Sequence, residues 1–345
     1  MTDQKPSPVA ILYWGSRGGP VRQIQNLMMT AKNYDFDLHW IISSNISELD
    51  NDILSNIRNV VITKMPKSKL GLIFRIVGRK KTIGKTIEYL KSNKIEKVYF
   101  LLPHPWDILL AKKLHLETNI EIWRGIHDLK RHPGDLWPTR RALRRTMKFA
   151  NVLVTFSSFV TDIVQGRGQR VMETSIFEPK RENRLASNPG SILFVGRIRR
   201  YKGLNLLKSA WPLVTNSKKS LTIAGEGQGI PFEPSDTVKI INRWLSDKEI
   251  EDLISSHSLV VLPYIEASQS GIIPLANALG VPVVVTPVGG LASQIKQGIN
   301  GLVSINLDYK EFAATIDRAL SMEWHFEPEI NDSLRMFLDA LVSGA

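Results

Sequence analysis

The sequence predicts an α/β protein of two Rossmann-like, doubly wound parallel-sheet domains facing a central cleft. Three observations carry this. The chain has 345 residues, more than one hydrophobic core usually serves. Short runs rich in Val, Ile, Leu, Phe and Tyr alternate with longer segments of helical period, which means parallel strands covered on both faces by crossover helices. The pattern stops at a polar, Pro-bearing stretch, Glu178 to Gly190, and then restarts.

In the first half the predicted strands are V-A-I-L-Y-W, D-L-H-W-I-I-S-S, V-V-I-T-K, K-V-Y-F-L-L, E-I-W-R-G-I-H and N-V-L-V-T-F. Gln23 to Lys32 and Leu70 to Lys91 are long enough to be crossover helices. In the second half the strands are S-I-L-F-V-G, S-L-T-I-A-G, V-K-I-I-N, L-V-V-L-P-Y and P-V-V-V-T. Ser246 and Glu249 form a capping box that starts a helix running to Ser256. Tyr309 to Val342 reads as two amphipathic helices separated near Phe326 to Pro328. The expected domains are residues 1–180, residues 187–322, and a terminal segment 323–345 that crosses back to the first domain. Ligands of doubly wound sheets bind at the carboxyl ends of the strands, so the loops there should carry the chemistry.

Composition narrows the function. The chain has no Cys, which removes disulfides, thiolate nucleophiles and Cys-based zinc sites, and suits a reducing cytoplasm. The polar N-terminus and the short apolar run Val9 to Trp14 make neither a signal h-region nor a membrane span. Residues 1–181 hold 30 Lys plus Arg against 16 Asp plus Glu, a net +14, and the remainder holds 15 against 17, a net −2. A basic surface confined to one half attracts polyanions such as anionic lipid headgroups, phosphorylated substrates or nucleic acid.

The richest chemical element is I-L-F-V-G-R-I-R-R-Y-K-G. An apolar strand ends in Gly196 and Arg197, and Lys202 and Gly203 follow at the mouth of a helix. Glycine lets a phosphate approach the backbone, and two cations neutralise a diphosphate. The second element, P-Y-I-E-A-S-Q-S-G-I-I-P-L-A-N-A-L-G-V-P-V-V-V-T-P-V-G-G, reads as strand, loop with Glu266, helix from about Gly271, and buried strand. Ser268, Ser270 and the backbone at Gly271 and Ile272 make a helix start ready for an anion.

Together these segments resemble the large group 1 family of retaining glycosyltransferases with the GT-B architecture. The resemblance rests on Gly196-Arg197 with Lys202-Gly203, Gly225-Glu226-Gly227, Glu266 with Ser270-Gly271, Ala276 to Val283, and Gly289-Gly290, in order over about 120 residues. It implies that Arg197 and Lys202 hold the donor diphosphate and stabilise charge as the bond to the leaving nucleotide breaks. It further implies that Glu266 contacts sugar hydroxyls, that Gly271 and Ile272 donate N–H groups, and that Gly225, Glu226 and Gly227 line the donor site. In the first half, Gly18 and Gly19 of W-G-S-R-G-G-P-V-R-Q match the family's glycine loop. His127, beside Asp128, resembles its interdomain histidine, which would touch the transferring sugar or orient the acceptor. One departure stands out. The family's second glutamate, which binds the ribose, is absent, and this chain has Pro274 and Leu275 there.

The resemblance implies a nucleotide-sugar substrate, a UDP- or GDP-sugar, a saccharide or lipid-linked saccharide acceptor, retention of configuration, and a role in bacterial surface polysaccharide or glycolipid synthesis. No cofactor and no metal are expected: Asp35-Phe36-Asp37 has the D-x-D form but precedes a strand instead of ending one. Basic amphipathic segments at Lys64–Lys94 and at Arg140–Lys148 suit an anionic membrane surface, which would place the protein on the inner face of the cytoplasmic membrane. Two alternatives share parts of the pattern. A sugar-nucleotide epimerase would use the same donor loops without an acceptor. A nucleic-acid-binding protein would use the charge, but the basic helices lack interleaved aromatics and no nucleic acid is expected.

Overall fold

The computed structural model describes residues 7–16, 19–47, 49–65, 76–127, 137–174, 188–326 and 333–343. The chain divides into two units: one comprises Met1–Phe156, Val160–Ile176 and Asp332–Ala345, the other Ser157–Phe159 and Phe177–Asn331.

The first unit is built on a seven-stranded parallel sheet of β1 (Val9–Tyr13), β2 (Leu38–Ser43), β3 (Val60–Thr63), β4 (Lys97–Phe100), β5 (Glu121–Ile126), β6 (Val152–Thr155) and β7 (Arg170–Glu173). Their order is β3-β2-β1-β4-β5-β6-β7. β1, β2, β4 and β6 are buried along their whole length, as continuous apolar runs in a two-sided parallel sheet must be. The register pairs Ile11 with Trp40 on one side and Tyr99 on the other. β7 escaped the sequence reading because it is a half-exposed edge strand, R-V-M-E, without an apolar run. The crossover expected at Leu70 to Lys91 is a helix over Ile76–Ser92, and its first residues, 70–75, lie outside the described residues.

The last helix, Ser333–Ser343, belongs to this unit. Its Leu334, Phe337, Leu338 and Leu341 are buried in the same core as Val21, Ile24 and Met28 of the helix Gly19–Asn33. The Phe337 ring packs edge-on against Tyr99 at 5.2 Å and Trp123 at 6.3 Å. Burying one such ring contributes about 1.5–3 kcal/mol. Lys97, at the start of β4, donates from a buried Nζ to the carbonyls of Leu341 (3.0 Å) and Val342 (3.1 Å), which the helix end leaves without intrahelical donors.

The second unit holds a six-stranded parallel sheet of β8 (Asn188–Val195), β9 (Ser220–Ala224), β10 (Val238–Ile241), β11 (His257–Leu262), β12 (Val283–Val285) and β13 (Gly301–Val303). Their order is β10-β9-β8-β11-β12-β13. β8 begins at Asn188, inside the stretch expected to be linker up to Gly190. The strand opens with exposed Asn188 and Pro189 before its buried run, so polarity hid its start. β13, G-L-V, offers only two apolar residues after a glycine, too little to stand out in the sequence. The capping box at Ser246 is present with both of its hydrogen bonds, and Arg243 with the Ser246 hydroxyl and amide holds the Glu249 carboxyl down at about 2. In both sheets the order reverses around the first strand, at β1/β4 and at β8/β11. This is the place where doubly wound sheets bind ligands at their carboxyl ends.

Candidate functional site

In the second unit the loops that follow β8, β9, β11 and β12 meet at the carboxyl edge of the sheet. After β8 the chain runs through Gly196 and exposed Arg197 into a 3₁₀ turn, Arg200–Lys202, and then the helix Leu204–Ala210. Ile198 donates to the Glu226 carbonyl at 2.9 Å and bridges in parallel with Gly227, so the loops after β8 and β9 continue the sheet beyond its strands. Gly227 also donates to Asn242 Oδ1 at 3.1 Å, which ties in the end of β10. Among the described residues Arg197 makes no ion pair.

Gly203 is the hinge of the arrangement. Its φ is 68°, in the left-handed region, and a β-carbon there would sit 2.7 Å from the Pro263 carbonyl carbon and closer still to its oxygen. Only glycine allows the loop after β8 to lie directly on the loop after β11. Ile265 then donates to the Tyr201 carbonyl at 2.8 Å.

That contact sets the Lys202 ammonium 3.7 Å from the centroid of the Tyr264 ring, over its face, and 5.2 Å from that of Tyr201. Tyr264 is fully buried, its hydroxyl is 3.4 Å from Ser270 Oγ, and its carbonyl accepts from Thr286 Oγ1. Burial pushes the phenol up to about 12, so the ring stays neutral beneath the cation. A lysine held over a ring face is oriented as well as attracted.

The loop after β11 carries half-buried Glu266 and buried Ser268 and Ser270. Gln294 grips Ser270 at both ends, accepting from its N–H at 2.8 Å and donating to its carbonyl at 3.2 Å. Ser270 Oγ accepts from the N–H of Ile272 at 3.4 Å, and the helix itself runs over Ile272–Ala278 with Gly271 at its cap. Gly289 and Gly290, after β12, lie so close to the carbonyls of Ala267 and Ser268 that any side chain would collide with them. Arg197, Lys202, Gly196, Gly225, Glu226, Gly227, Glu266, Ser268, Ser270, Gly271 and Ile272 thus lie on the three loops after β8, β9 and β11, at one edge of one sheet. Sequence reasoning missed Tyr264 and Gln294. Tyr264 was visible as the last aromatic of L-V-V-L-P-Y, whereas Gln294 had no signal because it acts from 24 residues away.

In the first unit, His127 directly follows β5, and its ring centroid is 4.2 Å from that of Phe156. Gly19 opens the helix Gly19–Asn33, and Gly18 and Asp128 lie outside the described residues. The D-x-D carboxylates are engaged locally: Asp35 pairs with Arg58 at 2.7 Å, and Asp37 accepts from Asn59 Nδ2 at 2.8 Å. At the carboxyl edge of this sheet a buried ion pair joins Arg124 Nη1 to Asp107 Oδ2 at 2.8 Å, and the His104 N–H donates to the same oxygen. Burial outweighs the attraction of Arg124 and raises the Asp107 carboxyl to about 6. Trp14, His104 and Trp106 pack edge-to-face beside it, at 5.5–6.0 Å.

In the helix Trp137–Met147, Arg141, Arg144 and Arg145 are exposed, as is Lys148 just beyond it, while Ala142, Leu143, Thr146 and Met147 are buried. The side chain of Arg140 and the segment 66–75 of the other basic stretch lie outside the described residues. Among the described residues no helix is long and apolar enough to cross a membrane.

Residues 189–322 match the family model described as Glycosyl transferases group 1. An uncharacterised glycosyltransferase of Methanocaldococcus jannaschii is 32% identical over 148 residues, covering 40% of this chain and 37% of that protein. The curated relatives are matched over 34–43% of their own lengths. Among solved structures, Anabaena HepE in complex with UDP and glucose has a TM-score of 0.67 at 15% identity, covering 98% of this chain and 95% of that one. The lipopolysaccharide outer core galactosyltransferase WaaB, in its apo form, has a TM-score of 0.68 at 17% identity, covering 98% and 100%. The architecture is therefore GT-B: two parallel-sheet α/β domains, of seven and six strands.

Proposed function

We propose that this chain, whose residues 189–322 carry a group 1 glycosyl transferase domain, moves a sugar from a UDP- or GDP-sugar to a saccharide or lipid-linked saccharide acceptor with retention of configuration. The observation that carries the reading is the seating of Lys202 on the Tyr264 ring by the Gly203–Pro263 contact, on the same loop as Arg197, which makes no ion pair among the described residues, and against the loop of Glu266. In this reading the two cations hold the donor diphosphate and offset the charge that gathers on it as the glycosidic bond breaks, an electrostatic role for which preorganised donors are suited. Glu266 takes sugar hydroxyls, and Ser268, Ser270, Gly271 and Ile272 frame the sugar and phosphate. Gly225 to Gly227 border the donor on the other side. A departing phosphate oxygen takes the acceptor proton, and His127 orients the sugar or acceptor. The UDP bound by HepE supports a uridine donor. The basic first half, net +14 over residues 1–181, supports an acceptor at an anionic membrane surface in surface polysaccharide or glycolipid synthesis.

A thermal-shift panel of UDP, GDP, ADP, CDP and dTDP tests the donor. The matching nucleotide at about 100 times its dissociation constant adds roughly 2.7 kcal/mol to the stability of the second unit. If none of the five raises the melting temperature, the reading fails. Product analysis separates transfer from epimerisation: transfer makes a new glycosidic bond, and epimerisation returns an isomeric sugar nucleotide.

A further inference from the structure

The first unit contains a cavity of about 630 Å³ that the donor chemistry does not use, lined by Leu143, Arg144, Met147, Lys148, Ile163, Arg167 and Gln169. Its size falls within the range of small-molecule sites. The lining is of two kinds. Leu143 and Met147 are buried and form an apolar floor, and Ile163 adds a half-exposed apolar side chain to the lining. Arg144, Lys148 and Arg167 are exposed cations at the rim, and among the described residues no carboxylate lines the cavity. Among the described residues none of the three makes an ion pair.

The positions are built. Arg144 and Lys148 are one helical turn apart at the end of Trp137–Met147, so they stand on one face. Arg167 is carried by the turn Gly166-Arg167-Gly168, where both glycines have positive φ (80° and 87°), which a side chain would resist. Gln169 Nε2 donates to the Met147 carbonyl at 3.2 Å and joins the turn to the helix end.

An apolar floor beneath three unpaired cations matches an anion attached to a hydrocarbon chain. Inorganic phosphate would leave the floor and Ile163 unused, and a neutral apolar ligand would leave the cations unused. We propose that this cavity binds one anionic phospholipid, with the phosphodiester among Arg144, Lys148 and Arg167 and the start of an acyl chain against Leu143, Met147 and Ile163. This deepens the membrane-surface part of the proposed function and is independent of the donor site. It replaces a diffuse basic face with a saturable site of defined stoichiometry.

The test uses the full chain and short-chain dihexanoyl-phosphatidylglycerol below its micellar concentration, followed by titration calorimetry. The expected result is saturable 1:1 binding, weakened about fivefold by Arg167→Gln and more than tenfold by the double variant Arg144→Gln/Lys148→Gln. Ile163→Asp is expected to abolish it. Glycerol phosphate is expected to bind at least tenfold more weakly than the lipid, because it lacks the chain. Parallel sedimentation with vesicles of 30% phosphatidylglycerol in phosphatidylcholine should lose the same variants. Equal binding of glycerol phosphate and lipid, affinities unmoved by the substitutions, or displacement by a single-stranded oligonucleotide at equal charge would each overturn the assignment. Nucleotide-dependent stabilisation of the same variants reports the other unit: if it is absent in wild type while lipid binding persists, the donor reading fails and this one stands. The altered side chains are at the surface, and an unchanged melting curve establishes that each variant is folded.

Discussion

Replacing Gly203 with alanine should damage the second unit in a way that separates the loop contact from chemistry. Two costs add. A left-handed backbone at φ 68° costs an alanine roughly 1–2 kcal/mol. The new β-carbon would lie 2.7 Å from the Pro263 carbonyl carbon, about 1 Å inside ordinary carbon contact, and relieving such overlap in a packed region costs about 1–3 kcal/mol. The sum, about 2–5 kcal/mol, lowers the melting temperature of a unit of this size by roughly 5–15 °C. Relief by moving the loop also breaks the 2.8 Å hydrogen bond from Ile265 to Tyr201 and lifts Lys202 off Tyr264. Differential scanning calorimetry resolves the melting, and the response to UDP in the same scan resolves the loss of binding. Gly84→Ala is the control with opposite sign. Gly84 is in the helix Ile76–Ser92 with open space at its β-carbon, and alanine there adds about 0.5–1 kcal/mol. If Gly203→Ala melts as wild type and keeps its nucleotide response, the close approach of the two loops is not what positions Lys202.

Asp107→Ala leaves the Arg124 guanidinium buried without its partner, and unfolding in urea should register a loss of about 3–5 kcal/mol, largely restored by Arg124→Met in the same chain. A double variant as unstable as the single one would contradict the pairing. Lys97→Met removes the buried donor to Leu341 and Val342, so hydrogen exchange in residues 333–343 should accelerate at a cost of about 1–3 kcal/mol; unchanged protection would show that the apolar contacts alone hold this helix. His257 is pushed below its ordinary value by burial, with Nε2 2.9 Å from Thr222 Oγ1. The unfolded chain therefore binds a proton before the folded one does. Stability of the second unit falls as pH drops below about 6.5 toward the lowered folded value, by at most about 1.4 kcal/mol per pH unit. His257→Gln should flatten that part of the profile, and an equally steep profile in the variant would refute the assignment.

The extent to which the sequence was legible follows from the range of the interactions involved. Parallel strands buried on both faces write themselves as apolar runs, so β1, β2, β4, β5, β6, β8, β9, β11 and β12 could be read directly, and β3 and β10, though partly exposed, are rich enough in Val and Ile to be read as well. The edge strands Arg170–Glu173 and Gly301–Val303 could not, because one is half exposed and the other, G-L-V, offers only two apolar residues after a glycine. The position of Arg197 and Lys202 at the carboxyl edge of the second sheet was legible because charge beside glycine at a strand end is a local signal, whereas Glu266 stood out only through the family resemblance. The parts that orient them were not. Pro263 meets Gly203 from 60 positions away, Gln294 meets Ser270 from 24, and Tyr264 looked like one more apolar residue at the end of a strand. The cavity behind Arg144 and Lys148 needs Arg167, which arrives through a glycine turn about twenty residues later. The Asp107–Arg124 pair was hidden for a different reason: an arginine inside W-R-G-I reads as a strand's exception until its buried partner is found.

Whether Arg197 and Lys202 hold the diphosphate of a nucleotide sugar is decided by a calorimetric titration of UDP into wild type, Arg197→Ala, Lys202→Ala and the exposed control Arg318→Ala. A charge-assisted hydrogen bond contributes about 1.5–3 kcal/mol, so each site variant should bind UDP roughly 10- to 150-fold more weakly, and the control should match wild type. Affinities of the two site variants within about twofold of wild type, a difference of roughly 0.4 kcal/mol, would show that neither side chain holds the diphosphate.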